Sequence, residues 1–199
     1  MSTLNKIYYI CRVKHSEIKQ NIIETASILF YRNGYNSTGI NEIIAEAGIA
    51  KATLYNHFKS KEDICLAYLE FMNVTFIKDI KSFCERKPKG EQRVLALFDF
   101  LDVFFLQKDF NGCWCIKTVS EIPKDNERIR REIQNQKKNF IALISNLIAD
   151  NLELKNNKSL DSYARQIYLL YESAVAESHL HQDNWPIKET KNICSQIIT

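Results

Sequence analysis

The sequence predicts an all-α protein, and three observations carry that expectation. No segment sustains the alternation of apolar and polar residues that a half-buried strand needs, whereas apolar residues recur at three- and four-residue spacing along most of the chain. The few helix breakers all fall where those patterns stop: Gly34, Gly39, Gly48, Gly90 and Gly112, with Pro88, Pro123 and Pro186. The length, 199 residues, and the balance of 45% hydrophobic to 26% charged residues suit a globular chain with a substantial core.

About nine helices follow, near residues 16–33, 40–47, 51–57, 61–86, 90–108, 115–122, 126–153, 160–182 and 187–198. Residues 1–15 are expected to be a loosely held arm. In the first helix Ile22, Ala26, Leu29 and Phe30 form a single stripe facing a core. Thr38 is a plausible N-cap for the second, whose buried side is Ile40, Ile43, Ile44 and Ala47. Gly48 can take the positive φ that ends that helix, and Ile49 can plug the core before the third. Ser60 to Asp63 has capping-box spacing and opens the long fourth helix. The fifth to eighth lie between the breaks at Pro88 and Gly90, Gly112, Pro123 and Trp185. Trp185 and Pro186 mark the turn into the ninth, with proline near its first position.

Charge is unevenly placed. Residues 1–61 hold eight Lys/Arg against four Asp/Glu, leaving 19 against 20 in the remainder, so the net +3 comes from an N-terminal surplus. Such a bias favours a polyanionic partner, although a surplus of four is modest. No apolar run reaches about 18 residues and the opening is too polar for a signal peptide, so no membrane partner is expected and the cytoplasm is the expected location. Cys11, Cys65, Cys84, Cys113, Cys115 and Cys194 include no C-x-x-C pair, so reduced thiols and no metal site are expected.

The second and third helices form a helix-turn-helix. On the third, Leu54 and Phe58 point inward, while Lys51, Ala52, Tyr55, Asn56 and Lys59 share the opposite face and Thr53 and His57 flank it. That face suits the DNA major groove. Lys51 can reach guanine acceptors, Asn56 can offer its amide to adenine, and Ala52 permits close approach and a thymine methyl contact. Thr53, Tyr55 and His57 can donate to phosphates, and Lys61 adds its charge to free N–H groups at a helix start. A solvated face with Tyr55 packed on a neighbour satisfies the same periodicity.

The run TGINEIIAEAGIAKATLYNHFKSKEDI, Thr38 to Ile64, resembles the DNA-binding signature of the TetR/AcrR family of bacterial transcriptional regulators, over about Ile18 to Tyr68. The resemblance implies a DNA-binding domain at 16–60 and a ligand-binding and dimerisation domain at 61–199. It implies phosphate contacts from Thr38, Thr53, Tyr55, His57 and Lys61, with Lys51, Ala52 and Asn56 facing bases. Ala50 and Ala52 depart from the Ser and Gly frequent in the family. The first loses a cap and phosphate contact, and the second can shift base preference.

Aromatics gather from the fourth helix onward, with seven of the eleven phenylalanines between Phe71 and Phe105. They can fill a core or line a cavity. By the resemblance, middle helices enclose an inducer pocket, for which Phe76, Phe98, Leu101, Phe105, Cys113, Trp114, Tyr168, Tyr171 and Glu172 are the candidate lining residues. The last two helices would form a homodimer. Ile167, Leu170, Tyr171, Ala174, Val175 and Ser178 make a stripe with small residues, joined by Ile193 and Ile197, although an intrachain core face fits the stripe equally. The stretch FNGCWCIKTVSEI resembles the sixth-helix start in one branch of the family. Cys113 and Cys115 there can be buried hydrophobes, a weak metal pair, or sensors of oxidants and electrophiles.

The function expected is a dimeric repressor that binds a palindromic operator in double-stranded DNA and is released by a small, largely apolar inducer. The alternative is a cysteine-based redox or electrophile sensor. No enzyme is expected and no cofactor, because the sequence has no Gly-rich phosphate loop, no H-E-x-x-H and no nucleophile elbow.

Overall fold

The computed structural model describes residues 3–153 and 159–198, with side chains from residue 16 onward. Among the described residues there is no strand. The order is α1 (Thr3–Asn33), α2 (Ile40–Glu46), α3 (Lys51–His57), α4 (Lys61–Glu85), α5 (Glu91–Phe105), α6 (Trp114–Glu121), α7 (Glu127–Ala149), α8 (Leu160–His181) and α9 (Trp185–Ile198).

The breaks fall where the glycines and prolines stand, and most boundaries agree with the sequence to within a few residues. The main difference is α1. It begins at Thr3, so residues 3–15 of the expected arm are part of the helix; nothing between Thr3 and Gly34 is a glycine or proline that would stop it. The side chain of Cys11 lies outside the described residues. α7 ends early, at Ala149, because the Asn151 amide turns back to donate to the Leu147 carbonyl.

Two apolar clusters organise the chain. The first joins Ile22, Ala26 and Phe30 of α1, Ile43 of α2, Leu54 and Phe58 around α3, and Ile64, Tyr68 and Leu69 of α4. Trp114, Cys115 and Ile122 of the α6 region and Ile129 and Ile133 of α7 also belong to it. The second is built by α4, α5, α7, α8 and α9 around Phe98, Leu101, Phe140, Ile144, Tyr171 and Ile187. Phe76 and Cys113 pack against both clusters, so the two cores meet at α6.

Thr38 does not cap α2. Gly39 holds the N-cap position, and its N–H is met by the Glu42 carboxylate at 3.2 Å. The Thr38 side chain is buried instead, its hydroxyl donating to the Gly34 carbonyl at 2.8 Å. Gly34 (φ +94°) and Gly48 (φ +64°) end α1 and α2 in the left-handed region that glycine tolerates. Ser60 does cap α4, accepting from the Asp63 N–H at 3.1 Å. α9 takes in Trp185 and Pro186, since a proline in a first turn has no helical bond to lose.

The α8 stripe also departs from expectation. Ile167, Ala174, Val175 and Ser178 are buried, with Tyr171, in the chain's own second core, so they are not free for a partner. Leu170 is half-buried against the same core. The outward face of α8 carries Leu169, Ser173, Ala176 and Leu180, all exposed, and α9 adds exposed Ile193 beside half-buried Ile197. α8 is apolar on both sides, which hides the inward direction from a sequence reading.

Candidate nucleic-acid interface and ligand cavity

α3 presents its polar face as its period requires. Leu54 and Phe58 are buried, whereas Lys51, Ala52, Tyr55, Asn56 and Lys59 are exposed together, with Thr53 and His57 half-buried at the edges. Ala50 occupies the N-cap with no side-chain bond, so the first N–H groups of α3 have no capping hydroxyl. Lys61 stands at the start of α4 with its ammonium 4.5 Å from the Tyr35 ring centre and 3.5 Å from the Asn36 carbonyl. Burial lowers its pKa, against the raising influence of Cys65 and Glu121. Thr38, buried as described, places no side-chain donor on this surface.

Where the two cores meet, a cavity of about 30 Å³ lies between α4, α5, α6, α7 and α8. Of the candidate lining residues, Phe76, Leu101, Cys113, Trp114, Tyr171 and Glu172 border it. Phe98, Phe105 and Tyr168 do not. Phe98 is fully buried against the Tyr171 ring, Phe105 packs on Phe110, and Tyr168 lies behind Phe140. The lining also contains Asn73, Phe104, Gln136, Lys137 and Phe140, which sequence reasoning missed. A signal for them existed: Gln136 and Lys137 interrupt the apolar stripe Ile129, Ile133, Phe140 and Ile144 of α7, and Gln136 is buried.

The walls are aromatic edges and faces. Phe76 meets Trp114 and Phe140 at 5.2 Å each, and Phe140 meets Tyr171 at 5.0 Å, all steeply inclined. Among them sits an ion pair, Lys137 Nζ to Glu172 Oε1 at 2.6 Å, with the two side chains 18% and 19% exposed. The same ammonium is 3.2 Å from Cys113 Sγ.

The hydrogen bond from Cys115 lowers the Cys113 thiol most; burial opposes it, Lys137 assists, and the thiol is pulled down to about 7. Cys115 goes up, for the reciprocal reason and by burial. Burial pushes Cys65, Cys84 and Cys194 up to about 12. Lys137 is raised, because Cys113 and Glu172 outweigh the burial that would lower it.

α6 ties cavity to helix-turn-helix. Its first residues line the cavity, and at its last residue the Glu121 carboxylate accepts the Asn36 N–H at 2.6 Å while the Glu121 carbonyl accepts the Asn36 amide at 2.8 Å. Just before α6, the Tyr31 hydroxyl donates to the Gly112 carbonyl at 3.0 Å and accepts the Asn111 N–H at 2.8 Å. Burial pushes Tyr31 up to about 12, so its hydroxyl stays a donor. Lys117 donates to the Tyr31 carbonyl at 2.9 Å.

Among the described residues no helix is long and apolar enough to cross a membrane, and no cluster of three His, Cys, Asp or Glu residues is placed to hold a metal.

Residues 22–68 match the family model for bacterial regulatory proteins of the tetR family. The uncharacterized HTH-type transcriptional regulator YerO of Bacillus subtilis is 36% identical over 119 residues, a match covering 56% of this chain and 39% of that protein. The structure of SCO4454, a TetR-family transcriptional regulator from Streptomyces coelicolor, superposes with a TM-score of 0.81 at 24% identity over 92% of this chain and 95% of that one. E. coli NemR in its reduced form does so with a TM-score of 0.83 at 21% identity, over 92% and 97%. The match to the tetR family model thus covers the helix-turn-helix, residues 22–68, and the likeness to the two solved structures, over nine tenths of the chain, is one of fold.

Proposed function

We propose that the protein is a dimeric transcriptional repressor, acting in the cytoplasm, that binds a palindromic operator and leaves it when a small, largely apolar inducer enters the cavity. The observation that carries this reading is the exposed face of α3, with Lys51, Ala52, Tyr55, Asn56 and Lys59 held in register over buried Leu54 and Phe58. Residues 16–60 are the DNA-binding part and residues 61–199 the ligand-binding and dimerisation part. Lys51, Ala52 and Asn56 face bases; Thr53, Tyr55, His57 and Lys61 contact phosphates, and the Thr38 side chain is withdrawn from that set. The dimer forms on the outward face of α8 and α9, through Leu169, Ser173, Ala176, Leu180 and Ile193, with Ile197 at its edge. A twofold pair of α3 helices spaced about 34–36 Å apart reads both halves of a palindrome from one side of the duplex. By linkage, an inducer preferring the form that fits DNA poorly weakens operator binding by the same factor, a coupling of about 1–3 kcal/mol.

Selection of duplexes from a random DNA pool by the purified protein, followed by salt titration of the enriched site, tests the reading. A palindrome with a steep salt slope supports it, and no enrichment from ligand-free protein refutes it.

A second reading has its own observation. The Cys113 thiol lies 3.2 Å from Lys137 Nζ and is pulled down to about 7, so oxidants or electrophiles can act on it in place of a reversible ligand. NemR, whose reduced form shares the fold, is named a transcriptional repressor. Cys113→Ser abolishes the response under this reading and preserves it under the first.

A further inference from the structure

Two residues lining the cavity carry hydrogen-bond donors that no described residue satisfies. Trp114 Nε1 and the Tyr171 hydroxyl are both buried without a partner, in side chains 8% and 2% exposed, and both residues belong to the lining. Burying a polar group unpaired is costly, so two in one cavity call for a molecule that pairs with them. An indole N–H can only donate, and that decides the polarity of the partner atom. A ligand with no lone pair to offer would leave Trp114 unmet; an acceptor oxygen, whether of a carbonyl, an ether or a hydroxyl, answers both groups.

Net charge is decided by the neighbouring ion pair. Lys137 and Glu172 already neutralise one another at 2.6 Å. An anion would have to draw Lys137 from Glu172, and a cation would have to draw Glu172 from Lys137; either leaves one buried charge uncompensated. The remaining walls, Phe76, Phe104 and Phe140, are apolar rings. The open volume of about 30 Å³ admits little more than the acceptor group, so binding a ring requires half-buried Phe76 and Phe104 to turn aside.

We propose that the cavity takes a neutral aromatic molecule bearing an acceptor oxygen, such as a ketone's, with Trp114 Nε1–H and the Tyr171 O–H donating to that oxygen. This rests on the cavity being an inducer site. It narrows the inducer from any small apolar molecule to one class.

Three single-ring probes separate the possibilities: acetophenone, α-methylstyrene, which replaces the carbonyl oxygen by a methylene, and benzoate, which adds a charge. Binding to the full-length protein without DNA is followed by calorimetry and by the indole N–H resonances, with half-exposed Trp185 as the internal control. Acetophenone is expected to bind at least about tenfold more tightly than either analogue and to shift the Trp114 resonance alone, as follows from a donor left unmet by the others. Tyr171→Phe, which keeps the ring, should bring acetophenone and α-methylstyrene to within about threefold; Trp114→Phe should do the same.

Equal affinity for acetophenone and α-methylstyrene, tighter binding of benzoate, or failure of all three to bind overturns the proposal. So does retention of the preference by both variants. Operator titration of the same preparation reads the regulator function separately, so a lost ligand class and a lost regulator are distinguishable.

Discussion

At the scale of single residues, the buried hydroxyl of Thr38 separates a structural role from a contact role. Thr38→Val should cost about 1 kcal/mol in chemical denaturation by removing the bond to Gly34, yet leave the salt slope of operator binding unchanged. A reduced slope would restore Thr38 to the phosphate contacts. On α3, Lys51→Ala or Asn56→Ala should change which bases are preferred, each at about 1–3 kcal/mol, whereas Tyr55→Phe or His57→Ala should weaken all duplexes about equally. Competition against single-base operator variants tells the two patterns apart. Cys113, held at about 7, has a depressed pKa, so the folded protein favours its thiolate; that contribution is present above the ordinary thiol value and disappears as pH falls through 7. Iodoacetamide labelling of the native protein should therefore reach Cys113 with a midpoint near pH 7 and spare Cys65, Cys84 and Cys194, which sit at about 12. Cys115→Ala should raise the midpoint most and Lys137→Met next.

At the scale of helices, α6 connects what happens in the cavity to the loop before α2, because its first turn lines the former and Glu121 holds the latter. α4 runs through both cores, yet the hydrogen bonds at both ends of α6 make it the stiffer link. Glu121→Ala should leave inducer binding intact and flatten the change in operator affinity that inducer produces; an unaltered response in fluorescence anisotropy would return the role to α4. The helices themselves were legible in the sequence because the breakers sit between them, as Gly48 and Gly90 illustrate. The polar face of α3 was legible for the same reason of period. The inward turn of Ile167 and Ala174 was not, since a period tells which residues share a face and not which neighbour that face meets. Lys137 escaped because its partners, Cys113 and Glu172, are 24 and 35 residues away along the chain.

At the scale of the whole molecule, the proposed dimer depends on a face that the chain leaves uncovered. Leu169→Glu or Leu180→Arg should yield a monomer in sedimentation with its helicity intact and with palindromic affinity lost, whereas Ala174→Glu should unfold the second core. A dimer that survives both outward charges would place the interface elsewhere. The junction at Gly34 has a consequence for construction. Gly34 has a positive φ, and a methyl group added there would land on the Glu121 carboxylate, so one backbone position serves the head and the body at once. Exchanging the first sixty residues for another reader of DNA is therefore not a free recombination: the graft must bring a glycine at that place and an amide like that of Asn36, or the new head will sit on the old body without taking its orders.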